Sequence, residues 1–173
     1  MNRQHGFSLV EIMVVIVIMG ILMGIAGPSF LDFIRRSQAM GAVNEFVSDI
    51  NMARSEALRK RSRVVICSRQ SDTNCGAATD WNSGYLIFVD ADSDGVFDAG
   101  EQLVKSVQSP GSRLSLAVTA TATTSAVSSL AFRPSGGVPV ASSARICAES
   151  GVPGKNILIT IAGQITTASV NCP

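Results

Sequence analysis

The chain is poor in residues that do chemistry. It has one histidine, His5, among 173 residues, and histidine is the side chain most often used for general acid and base work. It holds no nucleophile elbow, phosphate-binding loop or Cys/His pair, so it is read as not an enzyme and as requiring no cofactor. Its four cysteines form no paired CxxC, which argues against a zinc centre. One Trp and one Tyr offer little stacking surface for single-stranded nucleic acid. No internal repeat is visible.

Charge is missing from one long stretch. Ile12 to Leu31 are twenty uncharged residues, mostly Ile, Val, Leu and Met, long enough as a helix to cross a hydrocarbon core of about 30 Å. Membrane insertion is the expectation. Glu11 opens the run, where an ionisable group is costly in lipid without a partner such as an amine. Pro28, with Gly20, Gly24 and Gly27 close by, is placed to bend the helix. An ordinary secretory signal does not begin its apolar core with an acid, while apolar length alone leaves a plain single-span anchor open. Charge does not set the orientation, since Arg3 flanks one end and Arg35 and Arg36 the other.

The remainder suits one exported domain. From Ser29 to about Lys60 the helix continues and turns amphipathic: Ile34, Val43, Phe46, Val47, Ile50, Ala53 and Ala57 recur at helical spacing, with charged residues largely between them. That stripe should pack on a sheet. Strand-like runs follow at 63–67, 84–89, 102–107, 113–118, 129–132, 144–148, 156–161 and 165–170, separated by turns rich in Gly, Pro and Ser. The low-complexity stretch 115–129 reads as a weak edge strand with a mobile loop. The fold class is α+β, a long N-terminal helix packed on a β-rich head. Cys67, Cys75, Cys147 and Cys172 are an even set in an exported chain, so two disulfides are expected. Three pairings exist, and spacing favours Cys67 with Cys75 and Cys147 with Cys172.

Charge is unevenly spread: residues 1–69 carry +4, 70–102 carry −7 and 103–173 carry +4. Within the acidic part, Asp90, Asp92, Asp94, Val96, Asp98 and Glu101 fall at the liganding positions of a twelve-residue calcium loop, with Gly95 at its sharp turn. Calcium is therefore a candidate ion. The loop joins strands rather than helices, and Asp and Gly also simply favour turns. Arg59, Lys60, Arg61 and Arg63 form a basic cluster that would suit either phosphate or a solvated helix end, the latter favoured.

Several of these marks combine into a resemblance. The junction of Gly6, Phe7 and Glu11 resembles the class III signal of type IV pilins and type II secretion pseudopilins. Ala53-Arg54-Ser55-Glu56-Ala57, Trp81-x-x-Gly84-Tyr85 and Phe132-x-Pro134-Ser-Gly136 look like the GspH/FimT group of pilin-like proteins, which includes FimU-like and FimT-like minor pilins. The resemblance implies a leader at 1–6, a transmembrane and polymerisation helix at 7–31, an amphipathic helix at 32–61 and a head at 62–173. It implies that a prepilin peptidase cuts after Gly6 on the cytoplasmic side, that Phe7 is then methylated, and that Phe7 and Glu11 set register while Pro28 bends the helix in the filament. The protein would sit in the inner membrane, meet an assembly platform, and join other major and minor pilins, as a tip primer of a type IV pilus or in a secretion pseudopilus. A third branch binds DNA through a Gly-Arg-x-Arg turn. Here that turn is Gly163-Gln164-Ile165-Thr166, without either arginine, and removal of Arg3 leaves a neutral chain, so DNA is not the expected partner.

Overall fold

The computed structural model describes residues 7–76, 80–109, 111, 114–148 and 153–172, apart from the side chains of 25–29 and 32. Ser8 opens the long helix α1 (Leu9–Lys60), its carbonyl accepting from the Ile12 N–H at 3.2 Å. Ser8 to Glu11 has the S-x-x-E spacing of a capping box. Glu11 in the first turn and Arg59 and Lys60 in the last match the helix dipole. Compact units are formed by Met1–Arg35 and by Arg36–Pro173. In the first, the large apolar side chains from Phe7 to Met23 are exposed, as are Phe30, Leu31 and Phe33. The described side chains of the apolar run break off after Gly24 and resume only at Phe30, inside the sequence-expected span to Leu31, and among the described residues no helix is long and apolar enough to cross a membrane.

The second unit holds the end of α1 and eight described strands: β1 (Arg63–Ser68), β2 (Gly84–Asp90), β3 (Gln102–Gln108), β4 (Leu114–Ala120), β5 (Ser129–Phe132), β6 (Ser142–Ala148), β7 (Gly154–Ile159) and β8 (Ile165–Val170). All of the sequence-expected strands are present, each bound within two residues of the expected one. They form two four-stranded sheets, in the orders β3-β2-β1-β5 and β4-β6-β7-β8, with every neighbouring pair antiparallel.

The helix stripe organises the core. Ala39, Val43, Phe46, Ile50, Ala53 and Ala57 are buried, alternating steps of four and three residues that keep them on one face. Most of that face meets Val64, Ile66, Ile87, Leu116, Val118, Ala144, Ile146, Ile157 and Ile159 from both sheets. Trp81 is fully buried beside it, its Nε1 donating to the Val127 carbonyl at 2.7 Å. Gly84, three residues on, has φ +101°, and a Cβ there would lie 2.1 Å from the Val107 carbonyl oxygen, so only glycine fits this close approach of β2 to β3.

One feature lies beyond the sequence reading and one departs from it. Every residue of β2 is buried, because Val65, Leu86 and Phe88 point away from α1 into a second cluster that includes Phe97 from the acidic loop and Cys75. The 115–129 stretch does supply an edge strand, but not a weak one: β4 pairs with β6 through seven positions and alternates buried and more exposed residues. Its Leu, Val and Ala at every second position give a period of two despite the low complexity.

One polar group interrupts the apolar stripe. Asp49, on α1, is buried, and accepts from the Tyr85 hydroxyl at 2.7 Å and from Lys105 Nζ at 2.8 Å, while Glu45 lies 3.4 Å from the same ammonium. Burial, reinforced by the Asp49 bond and charge, pushes the Tyr85 hydroxyl far above its ordinary range. Burial lowers Lys105, but its bonds and charge interactions with Asp49 and Glu45 outweigh this and leave it raised. Both groups thus hold their protons more tightly folded than unfolded. The stability they contribute is present below the unfolded values of about 10 and 10.4 and is lost as pH rises through the folded ones. We expect thermal melts to show stability falling from about pH 10 upward, with Tyr85→Phe flattening the first part of the fall. Asp49→Ala should cost about 3 kcal/mol in urea unfolding at neutral pH, because it strands the Tyr85 hydroxyl and removes the nearer of the two carboxylates at Lys105.

Candidate functional site

The C-terminal end of α1 and the acidic loop form one charged assembly. Arg63 begins β1 and stands directly across from Asp90, the last residue of β2. Its Nε lies 3.2 Å from Asp90 Oδ2, and its Nη1 donates to the Ser93 carbonyl at 2.6 Å. The guanidinium is thus enclosed by the loop, which turns around it through Ser93 (φ 69°) and Gly95 (φ +85°). Asp90 is 0% exposed. Burial pushes its carboxyl above the ordinary range, while Arg63, and a Ser93 backbone that falls short of hydrogen-bond geometry, pull the other way.

Of the six sequence-predicted calcium ligands, three come together: Asp90, Asp92 and Asp94. Glu101 does something else. Its Oε1 accepts from the Ala91 N–H at 2.8 Å and its Oε2 from the Asp98 N–H at 3.2 Å, so it braces the loop backbone. Val96 donates its N–H to Asp94 Oδ1 at 2.7 Å. The departure from a helix-loop-helix site has a physical source, since here the loop's ends are clamped by strand pairing between β2 and β3.

The basic cluster is largely neutralised within the molecule. Arg59 Nη2 lies 2.6 Å from Glu56 Oε2, and this bond holds the Glu56 carboxyl below its ordinary range. Lys60 bonds the Gln102 side chain and sits 3.9 Å from Glu56. Arg63 faces the acidic loop, which leaves Arg61 exposed at the helix end with φ 51°.

A second junction gathers residues of the GspH/FimT-like marks. Arg54 of α1 donates from Nη2 to the Ala162 carbonyl at 3.3 Å and runs beneath two turns whose glycines, Gly136 and Gly163, have φ +79° and +74°. A Cβ on Gly163 would meet the Gly136 carbonyl oxygen at 2.1 Å and Arg54 Nε at 3.1 Å. The turn that replaces Gly-Arg-x-Arg is therefore tied to the helix by an arginine from elsewhere in the chain. The sequence reading missed this role of Arg54, although its place between the buried Ala53 and Ala57 was a signal.

Two disulfides brace the head. Cys67–Cys75 has Cα atoms 5.6 Å apart and Cys147–Cys172 has them 5.8 Å apart. Phe7 is 79% exposed, just before α1, while Gly6 lies outside the described residues, as do the side chains at 25–29, Pro28 among them.

A prokaryotic N-terminal methylation motif matches residues 1–27. Joined to a helix-on-sheets head, it defines the class as a pilin-like protein. The family described as Type II transport protein GspH matches residues 42–164, and the chain belongs to it. A fimbrial protein of Pseudomonas aeruginosa is 38% identical over 73 residues, 42% of this chain and 47% of that protein; the chain spans about half the length of the relative it matches. The type IV minor pilin FimU of Pseudomonas aeruginosa shares the fold, with a TM-score of 0.59 and 23% identity over 79% of this chain and 92% of that one. So does the minor pseudopilin EpsH of the Vibrio cholerae Type 2 Secretion System, with a TM-score of 0.54 and 10% identity over 76% and 97%.

The junction makes a direct expectation. Gly163→Ala should destabilise the head by about 2 kcal/mol or more, since both the positive φ and the clash with Gly136 oppose a side chain. Gln164→Ala, in the same turn, should shift the urea midpoint little, and equal effects of the two would deny the close approach its role.

Proposed function

We propose that this protein is a minor pilin, built through its N-terminal helix into a type IV pilus whose assembly it primes at the tip. The observation that carries this is the exposed apolar surface from Phe7 to Met23 with Glu11 as its one charge, beneath a methylation motif and on a chain with a GspH-family head. An apolar surface of this extent needs a nonaqueous partner. Before assembly that partner is the bilayer: the uncharged sequence from Ile12 to Leu31 spans the inner membrane once, with the N-terminus cytoplasmic. The peptidase cuts after Gly6, the new amino group of Phe7 is methylated, and the subunit leaves the membrane through the assembly platform. In the filament the apolar helix packs against major and minor pilins, and Glu11 pairs with an amino terminus.

The family description and the likeness to EpsH favour one second reading, a minor pseudopilin of a type II secretion system. The two share their physics and differ in the machine served. Deleting the gene should collapse the number of surface pili, with recovery on complementation; unchanged pili together with lost protein secretion would support the pseudopilin instead. Glu11→Val should still reach the membrane fraction but be missing from sheared pili, and normal incorporation of that variant would remove the carboxylate from the mechanism.

A further inference from the structure

We propose that the loop joining β2 to β3 binds one calcium ion, with Asp90, Asp92 and Asp94 as protein ligands and water completing the shell. Ligand oxygens of the three residues lie within 4.8 Å of one another. That is close enough for one cation to touch all three, and carboxylates offered by a turn of irregular backbone suit calcium, with its six to eight oxygens in flexible geometry, better than magnesium, which demands a near-ideal octahedron.

Acidic residues gather on many loops without an ion, and Asp90 supplies the further observation. It is wholly buried and its carboxylate belongs to the cluster, yet neither oxygen accepts a hydrogen bond from any described residue. Buried carboxylates normally receive such bonds. Its counter-charge, Arg63 Nε at 3.2 Å, is a single positive charge set against three carboxylates. A net charge of −2 remains inside one turn of chain, and a dication balances it. Asp92 and Asp94 each accept a bond on one oxygen, from the Asp94 and Val96 N–H groups, which leaves a second oxygen on each for the metal. Glu101 is not a ligand, because its two oxygens are committed to backbone N–H groups.

Three protein ligands beside a resident guanidinium make a weak site, in the range of about 0.1 to 1 mM used by extracellular modules. The ion would fasten the loop to the start of β1 whichever filament the protein joins, so the inference does not rest on the pilin reading. The test uses the full chain in a nonionic detergent, titrated with calcium chloride alone by calorimetry and melted in calcium, magnesium or chelator. We expect saturable one-site binding and a melting temperature higher by about 4 °C in saturating calcium. Asp94→Asn, at an exposed position, should keep the wild-type circular dichroism in chelator and lose at least about tenfold in calcium affinity. No saturable heat with equal melting in calcium and chelator would overturn the site. An equal shift from magnesium would overturn the choice of ion, and a full response from Asp94→Asn would overturn the ligand set.

Discussion

The head rests on the burial of one helix face against two sheets at once. Ala39, Val43, Phe46, Ile50, Ala53 and Ala57 are buried along that face, and the two sheets share no strand. Without the stripe, neither sheet has a continuous apolar layer to close against. Small residues at 53 and 57 let the end of the helix come close, while Phe46 fills the middle, edge-on to Trp81 and to Tyr85 with ring centroids 6.4 Å and 5.2 Å away. Burial is not directional, so it does not by itself fix the rotation or depth of the helix. Asp49 does, because a buried carboxylate is tolerable only where Tyr85 and Lys105 reach it.

The other polar contacts of α1 repeat this logic near its C-terminal end. Arg54 reaches the Ala162 carbonyl in the turn before β8, and Lys60 reaches Gln102 at the start of β3. Near this end the helix thus has a directional bond toward the edge of each sheet, from residues about two turns apart, in addition to the Asp49–Lys105 pair. The disulfides restrain what it leaves loose: Cys67–Cys75 closes the loop after β1, and Cys147–Cys172 joins the end of β6 to the segment after β8. Each removes conformations from the unfolded chain, worth roughly 3 kcal/mol for loops of this order.

Local pattern made much of this legible. The strand bounds followed from runs of β-branched and aromatic residues between turn residues, and the helix face from its spacing, because both signals are periodic and short-range. What escaped was set by partners distant in sequence. Asp49 looked like one more charge beside the stripe, and nothing local says that Tyr85 and Lys105 meet it from β2 and β3. β2 is buried on both faces, since the residues covering the face turned from α1, Phe97 and Cys75, come from loops on either side. In the acidic loop the residue types fitted a metal pattern, but the direction of each carboxylate depended on strand register and on Arg63. Spacing alone could not tell that Glu101 would turn back to the backbone.

The N-terminal unit poses a different problem of specificity. Its exposed side chains from Ile12 to Met23 are nearly all Ile, Val, Leu and Met, so a neighbouring apolar helix gains almost the same contact area at many depths. Sliding by one turn, about 5.4 Å, would change the dispersion energy little. It would change the environment of Glu11 completely, because a charge-assisted hydrogen bond needs its partner within about 3 Å. A carboxylate left in a low-dielectric bundle without a cation costs several kcal/mol, more than any difference among the apolar registers. In the proposed filament, the apolar residues therefore supply affinity while one acidic residue selects the register. In the same proposal the amino group that answers it is created only by cleavage after Gly6, which would make processing and correct packing a single condition.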